Sequence, residues 1–383
     1  MASEVRIGVI GLGGMGGYHA RYLLEGKIKR AKLGAVCDVD PSAFAKFPDV
    51  KNYTDSAKLI RSGDVDAVII ATPHYYHTTI GIDALEQGLH VLTEKPLSVH
   101  KADCARLIAA HKNPKQVFAI MFQSRTNSLY KKVKKIVSDG ELGEIRRVIW
   151  IVTDWFRSEA YYASGGWRAT WRGEGGGVLI NQCPHNLDVL QWVCGMPARI
   201  FARVTFGKYH AIEVEDDVTA YLEYPNGATG VFIATTGEAP GTNRWEIHGE
   251  RGRLVVERGK ISFQRTEIPV TEYSRTTKEI WSQPPQWNIE IPHAGEGGAH
   301  ENITRDFVEA ILDGKPLIVR AEEGINSVEI ANSIIHSSLT GRMVDLPLDA
   351  EAYEKQLKDL IANSKFEKKA VAGGESDITA SFK

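Results

Sequence analysis

The first third of the sequence alternates short, β-branched apolar runs with longer amphipathic stretches. The runs are VRIGVIG, LGAVCDV, DAVIIAT, HVLTEK and VFAIMF, and helix-like segments cover 15–30, 77–87 and 98–111. Fully apolar strands that alternate with helices are typical of a parallel sheet covered on both faces. The pattern therefore predicts a doubly wound α/β domain over residues 1–125.

A glycine-rich turn follows the first of these strands and opens a helix. We expect Gly11 to make the tight turn, Gly13 to let backbone approach a pyrophosphate, and Gly16 to permit close helix packing. Asp38 ends the next strand, where a carboxylate binds ribose hydroxyls and repels a 2'-phosphate, so NAD is favoured over NADP. The alternative is a glycine-rich turn beside an incidental Asp that caps a helix. The predicted cofactor-binding residues of this Rossmann-type turn are Gly11, Gly13, Gly14, Met15, Gly16 and Asp38.

Polar residues follow the next two strands at the edge where such folds keep their chemistry. Thr72 and Pro73 come directly after DAVIIA, and Glu94 and Lys95 end HVLTEK. Together with His77 they are predicted to contact the cofactor. The alternative for Glu94-Lys95-Pro96 is a solvated loop in which the proline begins a helix. His74 and His77 are three residues apart, but no third ligand is near in sequence, so no metal is expected.

The pattern of apolar and polar residues in the sequence changes after Arg125. Long strand-like runs such as IRRVIWIVTDWF and DVTAYLEY are joined by turns such as Pro225-Asn226-Gly227, which are hairpin signals. Residues 126–348 are predicted to form a substrate-binding and oligomerisation domain, an α+β unit with a large, mostly antiparallel open sheet. Residues 349–383 are predicted to be a C-terminal helix and a flexible tail.

Four stretches of the sequence resemble the glucose-fructose oxidoreductase / inositol dehydrogenase (Gfo/Idh/MocA) family: GLGGMGGYHA, ATPHYYH, TEKPL and GGGVLINQCPHNLDVLQW. The resemblance covers residues 4 to about 348. It implies that Lys95 hydrogen-bonds the reacting hydroxyl, that Pro96 follows a cis peptide as in family members, and that His185 matches the family's catalytic His. An ammonium at Lys95 would stabilise alkoxide-like charge. Glu94 would orient Lys95 or the cofactor ribose.

This sequence departs from the family pattern at Asn181, where many members carry Asp. If the chain is helical from about Val178, Asn181 and His185 lie one turn apart on one face, and Asp188 follows. A neutral amide stabilises an imidazolium less than a carboxylate does, so His185 is a weaker base unless Asp188 compensates. The predicted catalytic residues are Lys95, His185 and Asn181, with His185 the first candidate for the base and Lys95 the second.

The segment between the two regions, residues 155–177, is dense in Trp, Tyr and Arg. Aromatic faces stack on sugar rings and guanidinium groups bind hydroxyls or acidic groups, so the segment predicts a carbohydrate platform. Arg157 and Arg168 suggest a polar or anionic sugar. The alternative is that the aromatic residues only anchor a long loop or a subunit contact. By resemblance, Arg125 also lies near the substrate. The predicted substrate-binding residues are Lys95, Arg125, Trp155, Arg157, Tyr161, Trp167, Arg168, Asn181 and His185.

Charge and cysteine usage narrow the possible partners. The 46 Lys and Arg residues nearly balance 48 Asp and Glu, which gives no electrostatic case for nucleic acid or membrane binding. The N-terminal residues lack the pattern of a secretory leader, and no apolar run is long enough to span a bilayer. The four cysteines share no C-x-x-C spacing, which is typical of reduced thiols. We expect a cytoplasmic protein.

These features together predict an NAD-dependent dehydrogenase that oxidises a ring hydroxyl of a sugar, glycoside or polyol. One alternative is an NAD-dependent glycosidase of the same family that works by transient oxidation and elimination, and another is a non-catalytic dinucleotide-sensing protein. Strands such as RIFARVTFGKY are apolar on both faces, which predicts a homodimer or homotetramer. The competing account is that loops 155–175 and 265–297 cover the second face.

Overall fold

A six-stranded, entirely parallel sheet forms the N-terminal part of the structure, a computed structural model that describes residues 3–368. The strand order is β3-β2-β1-β4-β5-β6, with helices on both faces. All four residues of β4 are buried, as expected for a strand covered on both sides. The elements are β1 Val5–Ile10, α1 Gly14–Leu24, β2 Ala31–Cys37, β3 Lys51–Tyr53, α2 Ser56–Ile60, β4 Ala67–Ile70, α3 Tyr75–Glu86, β5 His90–Thr93, α4 Lys101–Ala110 and β6 Phe118–Ile120.

A nine-stranded sheet forms the second part, in the order β14-β13-β12-β11-β7-β10-β9-β8-β15. Among the described strands of this second sheet, only the β10–β7 pairing is parallel, so the sheet is mostly antiparallel and the predicted fold class is confirmed. Its elements are α5 Ser128–Ser138, β7 Ile145–Val152, α6 Glu159–Ala163, α7 Val178–Asn181, α8 Pro184–Cys194, β8 Arg199–Phe206, β9 Glu215–Glu223, β10 Thr229–Thr235, β11 Asn243–Gly249, β12 Gly252–Glu257, β13 Lys260–Thr266, α9 Val270–Thr276, β14 Gln286–Ile291, α10 His300–Asp313, α11 Gly324–Thr340, β15 Val344–Asp345 and α12 Ala350–Asn363.

The division into two cores differs in one respect from the predicted boundaries. Helix α10 falls within the predicted second domain, but its buried residues Ile303, Phe307 and Val308 share the core of the parallel sheet. The chain thus returns to the first domain after building the second, so residues 126–348 are not one separate unit. The predicted C-terminal helix is present as α12, and the predicted tail from 369 onward lies outside the described residues.

Along β8 and β9, alternate residues point to opposite faces of the large sheet. Ala202 and Leu222 are buried on the side where α11 packs, while Phe201 is 44% exposed and Tyr221 is 37% exposed on the other. Residues 286–291 extend the sheet as its edge strand β14 instead of folding across that face. Within residues 3–368, no helix combines the length and apolar character needed to cross a membrane.

Candidate active site

The glycine-rich turn between β1 and α1 leaves an open cradle at the carboxyl edge of the parallel sheet. Gly11 has φ +87°, and a Cβ at Gly16 would overlap the Gly11 carbonyl oxygen, so both positions require glycine. A Cβ at Gly13 would meet nothing within 4 Å. Helix α1 begins at this turn, and the N-terminus of a helix beside an open glycine turn fits the pyrophosphate of a dinucleotide.

Asp38 lies directly after β2 beside this cradle. Its Oδ2 accepts a hydrogen bond from the Leu12 backbone N–H at 2.6 Å, and its Oδ1 accepts one from Asp40 N–H at 2.9 Å. The carboxylate is thus fixed at the rim of the glycine turn, where a ribose would reach it.

Two neighbouring loops follow β4 and β5 and are held together by His77. The His77 ring, which is 1% exposed, lies between the carbonyl oxygens of Pro96, at 2.8 Å from Nδ1, and Thr72, at 2.9 Å from Nε2. Both ring nitrogens are therefore occupied, so His77 braces the loops and the expected cofactor contact is not available. Thr72 Oγ1 is buried with no hydrogen-bond partner among the described residues, and the Lys95-Pro96 peptide is cis.

Glu94 is held by the interior of the first domain. It is 4% exposed, and its Oε1 lies 2.7 Å from His19 Nε2, while His19 Nδ1 lies 2.7 Å from the Tyr22 hydroxyl. Burial, the largest single effect, raises the pKa of the Glu94 carboxyl, but the hydrogen bond to His19 and the charges of His19, His300 and Lys95 together outweigh it and lower that pKa to about 2. Its Oε2 accepts from the backbone N–H of Lys95 at 3.2 Å. Glu94 thus positions the backbone of Lys95, and its contact with the cofactor ribose stays a prediction.

The Lys95 side chain crosses from the first domain to the second. Its Nζ donates to the backbone carbonyl oxygen of Asn181 at 2.9 Å. Burial lowers the pKa of the ammonium, Glu94 opposes this shift, and Arg168 adds to it. The remaining two N–H groups of the ammonium can serve a ligand in the crevice between the domains.

The expected single helix through Asn181 and His185 is broken. Helix α7 ends at Asn181 and α8 starts at Pro184, because a proline has no N–H to continue the helix and disfavours helical backbone in the residue before it. Neither Asn181 nor Asp188 contacts the His185 ring. Instead, the Gln123 amide donates to His185 Nε2 at 3.3 Å, and Nδ1 is buried without a partner among the described residues. Burial, with Lys95 and His300 nearby, lowers the pKa of His185 to about 3.

Glu174 is the site residue that sequence reasoning missed. It is 2% exposed, accepts from Ala169 N–H at 2.6 Å through Oε2, and accepts from the Asn181 side-chain amide through Oε1. Burial raises the pKa of its carboxyl, opposed by Arg168. With its Nδ2 committed to Glu174, Asn181 keeps Oδ1 as its free acceptor. A lone Glu before three glycines was the only signal in the sequence.

The Arg125 guanidinium forms ion pairs with two carboxylates between the domains. Its guanidinium is 1% exposed and donates to both carboxylate oxygens of Asp188, at 2.8 and 2.7 Å, and to Glu323 at 2.5 Å. The expected substrate contact is therefore replaced by an ion pair that joins α8 to the segment before α11. Asp188 is likewise taken up and cannot support His185.

The predicted carbohydrate platform is a ladder of alternating aromatic rings and guanidinium groups. Arg157 lies 5.3 Å from the Trp155 ring centroid and 5.0 Å from that of Tyr161. Arg168 lies 4.8 Å from the Tyr161 ring and 4.8 Å from the Trp167 ring. The aromatic faces thus hold arginines, and we call these five residues the arginine ladder. The neighbouring Tyr162 and Trp171 are buried in the core.

The two histidines that follow β4 do not assemble a metal site. His74 Nδ1 donates to the backbone oxygen of Glu174 at 3.2 Å, and its ring packs edge-on against Trp167. Burial lowers the pKa of His74 well below its ordinary value. In the part of the chain that the structure describes, no group of three or more His, Cys, Asp or Glu residues is arranged to hold a metal ion.

Comparison with known proteins places this geometry in a family. A model of the oxidoreductase family with an NAD-binding Rossmann fold matches residues 5–122, and a model of the GFO/IDH/MocA C-terminal domain matches residues 130–255. The two matches together span more than half of the chain. The chain belongs to the GFO/IDH/MocA oxidoreductase family.

Individual relatives of this GFO/IDH/MocA protein differ in how much of it they match. Inositol 2-dehydrogenase of Salmonella typhimurium is 34% identical over 146 residues, which span 37% of this chain and 43% of that protein, less than half its length. Myo-inositol 2-dehydrogenase of Thermotoga maritima is 29% identical over 331 residues, which span 84% of this chain and 92% of that protein.

Solved structures agree with the family assignment. The WlbA dehydrogenase from Chromobactrium violaceum, in complex with NADH and UDP-GlcNAcA, is 27% identical and superposes with a TM-score of 0.78, covering 91% of this chain and 97% of that chain. The match of residues 5–122 to the oxidoreductase family model with an NAD-binding Rossmann fold agrees with the predicted cofactor NAD.

Proposed function

We propose that this protein is an NAD-dependent dehydrogenase that oxidises a secondary hydroxyl of a sugar, glycoside or polyol to a ketone. The observation that carries the proposal is Lys95. Its ammonium lies at the carboxyl edge of the parallel sheet, in the crevice that contains the glycine cradle, and is held from the opposite domain by Asn181. Ligands of open α/β sheets bind at this edge.

Three features of the first domain would hold the cofactor. The glycine cradle would bind the pyrophosphate, Asp38 would bind the adenosine ribose, and the unpartnered Thr72 hydroxyl would face the nicotinamide end. NAD supplies the acceptor for the hydride. The chain itself binds and orients the substrate hydroxyl, excludes water and moves the hydroxyl proton.

Lys95 and His185 are the two groups that can take this proton. His185, with a pKa of about 3, is a weak base, whereas burial lowers the pKa of Lys95 from its ordinary value and makes its deprotonated form easier to reach. We therefore propose that deprotonated Lys95 takes the proton, and that the resulting ammonium stabilises the oxygen of the forming ketone. This reverses the order expected from the sequence. Asn181 Oδ1 and neutral His185 would orient the hydroxyl.

The experiment that tests the function is a screen of sugars, glycosides and polyols for NADH formation by the purified full chain. Turnover with NADH accumulation supports the proposal. Glycoside cleavage with tightly held NAD and no net NADH would instead indicate the glycosidase. The third outcome is a protein that binds NAD and turns over no compound of the screen. If the Lys95→Ala variant also keeps its biological activity, the result indicates dinucleotide sensing.

We also propose that the second face of the large sheet packs against another copy of the chain. Ile149, Ile151, Val231 and Ile233 are partly exposed there, next to Phe201 and Tyr221. Apolar patches of this kind are rarely left open on monomers, and a two-fold contact would bury them. Light scattering at micromolar concentration tests this, and a mass near the single-chain 42.3 kDa would refute it.

A further inference from the structure

The two guanidinium groups of the arginine ladder have few hydrogen-bond acceptors. Arg157 Nη1 donates to the Phe156 carbonyl oxygen at 3.0 Å, and Arg168 Nη1 donates to the Tyr161 hydroxyl at 2.9 Å. Arg157 Nε is buried and has no partner within residues 3–368. Each guanidinium carries five N–H donors, so donors remain on both arginines that a ligand could use.

The aromatic rings of the ladder hold the guanidinium groups in fixed positions. Trp155, Tyr161 and Trp167 each have a ring centroid within about 5 Å of an arginine, and Gln182 fixes the Tyr161 hydroxyl at 2.9 Å. Stacked arginines lose less freedom when they bind a ligand because they are already oriented. The segment is thus built to present positive charge, and the ring faces that meet the arginines are not offered to a sugar.

The crevice carries more positive than negative charge. Arg157 and Arg168 are close enough to Lys95 that both contribute to the lowered pKa of its ammonium. Two carboxylates act on the Lys95 ammonium: Glu94, which is paired with His19, and Glu174, which already accepts from Ala169 and Asn181. The oxidised nicotinamide ring is also positively charged. Like charges at such short range repel strongly in a crevice that excludes water.

We propose that the substrate of this dehydrogenase carries an anionic group, a carboxylate or a phosphate, that Arg157 and Arg168 bind together. This inference rests on the proposed function and names its substrate class. A planar guanidinium matches either group with two parallel hydrogen bonds. The anion offsets the excess positive charge and places the sugar ring with its hydroxyl toward Lys95.

Matched substrate pairs test the proposal on the full-length protein with NAD. The pairs are glucuronate with glucose, galacturonate with galactose, and glucose 6-phosphate with glucose. We expect kcat/KM to be at least tenfold higher for the anionic member of the accepted pair, and the accepted pair separates carboxylate from phosphate. Equal kcat/KM for a neutral member overturns the anionic substrate while leaving the dehydrogenase intact.

Substitutions in the ladder show whether the arginines cause the preference. Arg157→Met and Arg168→Met should each lower kcat/KM for the anionic member at least tenfold more than for the neutral member, and Arg157→Lys should restore part of this difference. Arg172→Met, an exposed position in the same segment, is the matched control. Similar losses for both members of a pair would mean that the arginines only stabilise the loop.

If no substrate pair is turned over, that result counts against the proposed function. A direct binding measurement then tests whether the crevice still binds an anion. Calorimetry on the NADH-loaded protein would then use the same pairs and the same variants. Binding of anionic members alone, lost in both Met variants and weakened by salt, supports an anion site. Failure of every anionic member to bind, or equal binding of neutral members, overturns it.

Discussion

The ammonium of Lys95 donates a hydrogen bond to the backbone carbonyl oxygen of Asn181 at 2.9 Å, across the crevice between the two domains. One side chain thus joins the strand edge of the first domain to the end of α7 in the second. The position of the ammonium consequently depends on how the domains dock, and the reacting hydroxyl would be held by groups from both.

Lys95→Ala should remove most turnover and leave NAD affinity nearly intact. The ammonium acts mainly on charge that develops in the transition state, and loss of one such group typically costs about a hundredfold or more in kcat. Steady-state kinetics and NADH titration measure the two effects, with exposed Lys115→Ala as the control. An equally large loss of NADH binding would show that Lys95 anchors the cofactor.

Asp38 should make the protein prefer NAD, because its fixed carboxylate faces the position of a 2'-phosphate. A like-charge clash of this kind costs several kcal/mol. Asp38→Ser should raise kcat/KM with NADP relative to NAD, while Asp40→Ser, which removes a carboxylate two residues away that caps a short helix, should not. Comparable efficiency of the unmodified protein with both cofactors would contradict the assignment.

The pH profile of kcat/KM should rise with pH, because a base works in its deprotonated form and the proposed base is Lys95. The rise should be centred below the ordinary 10.5 of a lysine, since burial lowers the pKa of this ammonium. His185→Gln should keep the rise, because His185 is already neutral above its pKa of about 3. A rise that disappears in His185→Gln, at retained NADH binding, would return the role of base to His185.

Glu174→Gln should move the same rise to lower pH. The Glu174 carboxylate favours the charged form of Lys95, so removing it lowers the pKa of the ammonium further. Loss of activity with an unshifted profile would indicate that Glu174 only orders the loop.

Glu215 should make the protein less stable as pH rises. It is fully buried, its Oε1 accepts from Leu179 N–H at 3.1 Å, and burial raises the pKa of its carboxyl from the ordinary 4.5 to about 7. Between these values the folded state keeps a proton that the unfolded chain has lost, so the free energy of unfolding falls by up to about 3 kcal/mol. Stability is therefore greatest below the unfolded pKa and declines through the folded one.

Glu215→Gln should remove this decline, because the amide does not titrate. Urea unfolding at about pH 5 and about pH 8 measures the difference, and Glu223→Gln at the other end of the same strand is the control. Equal pH dependence in the Glu215 variant and the unmodified protein would show that other groups cause the decline.

Sequence patterns predicted the strands and helices of the first domain. They also predicted that its functional residues lie at the carboxyl ends of the strands. Lys95 could be placed at the sheet edge because strands of a parallel sheet end together and the strand HVLT is short and apolar. The same reasoning could not predict contacts between segments that are distant in the sequence. Arg125 and Asp188 are 63 positions apart in the sequence, and Glu94 and His19 are 75 positions apart. No local sequence pattern predicts either pair.

By itself, the sequence determined the parallel sheet, the glycine cradle, Asp38 at its rim and the approach of Lys95 to the crevice, because each follows from local periodicity and from backbone positions that only glycine can occupy. Tertiary structure alone decided which side chains are free to act. In the folded chain, His77, Arg125 and Asp188 hydrogen-bond to other residues of the protein. The helix before His185 is broken, Glu174 contacts Asn181, and arginines stack on the aromatic rings. The physical reason is that a buried polar group must find a partner wherever the fold provides one, and partners in space are not neighbours in sequence.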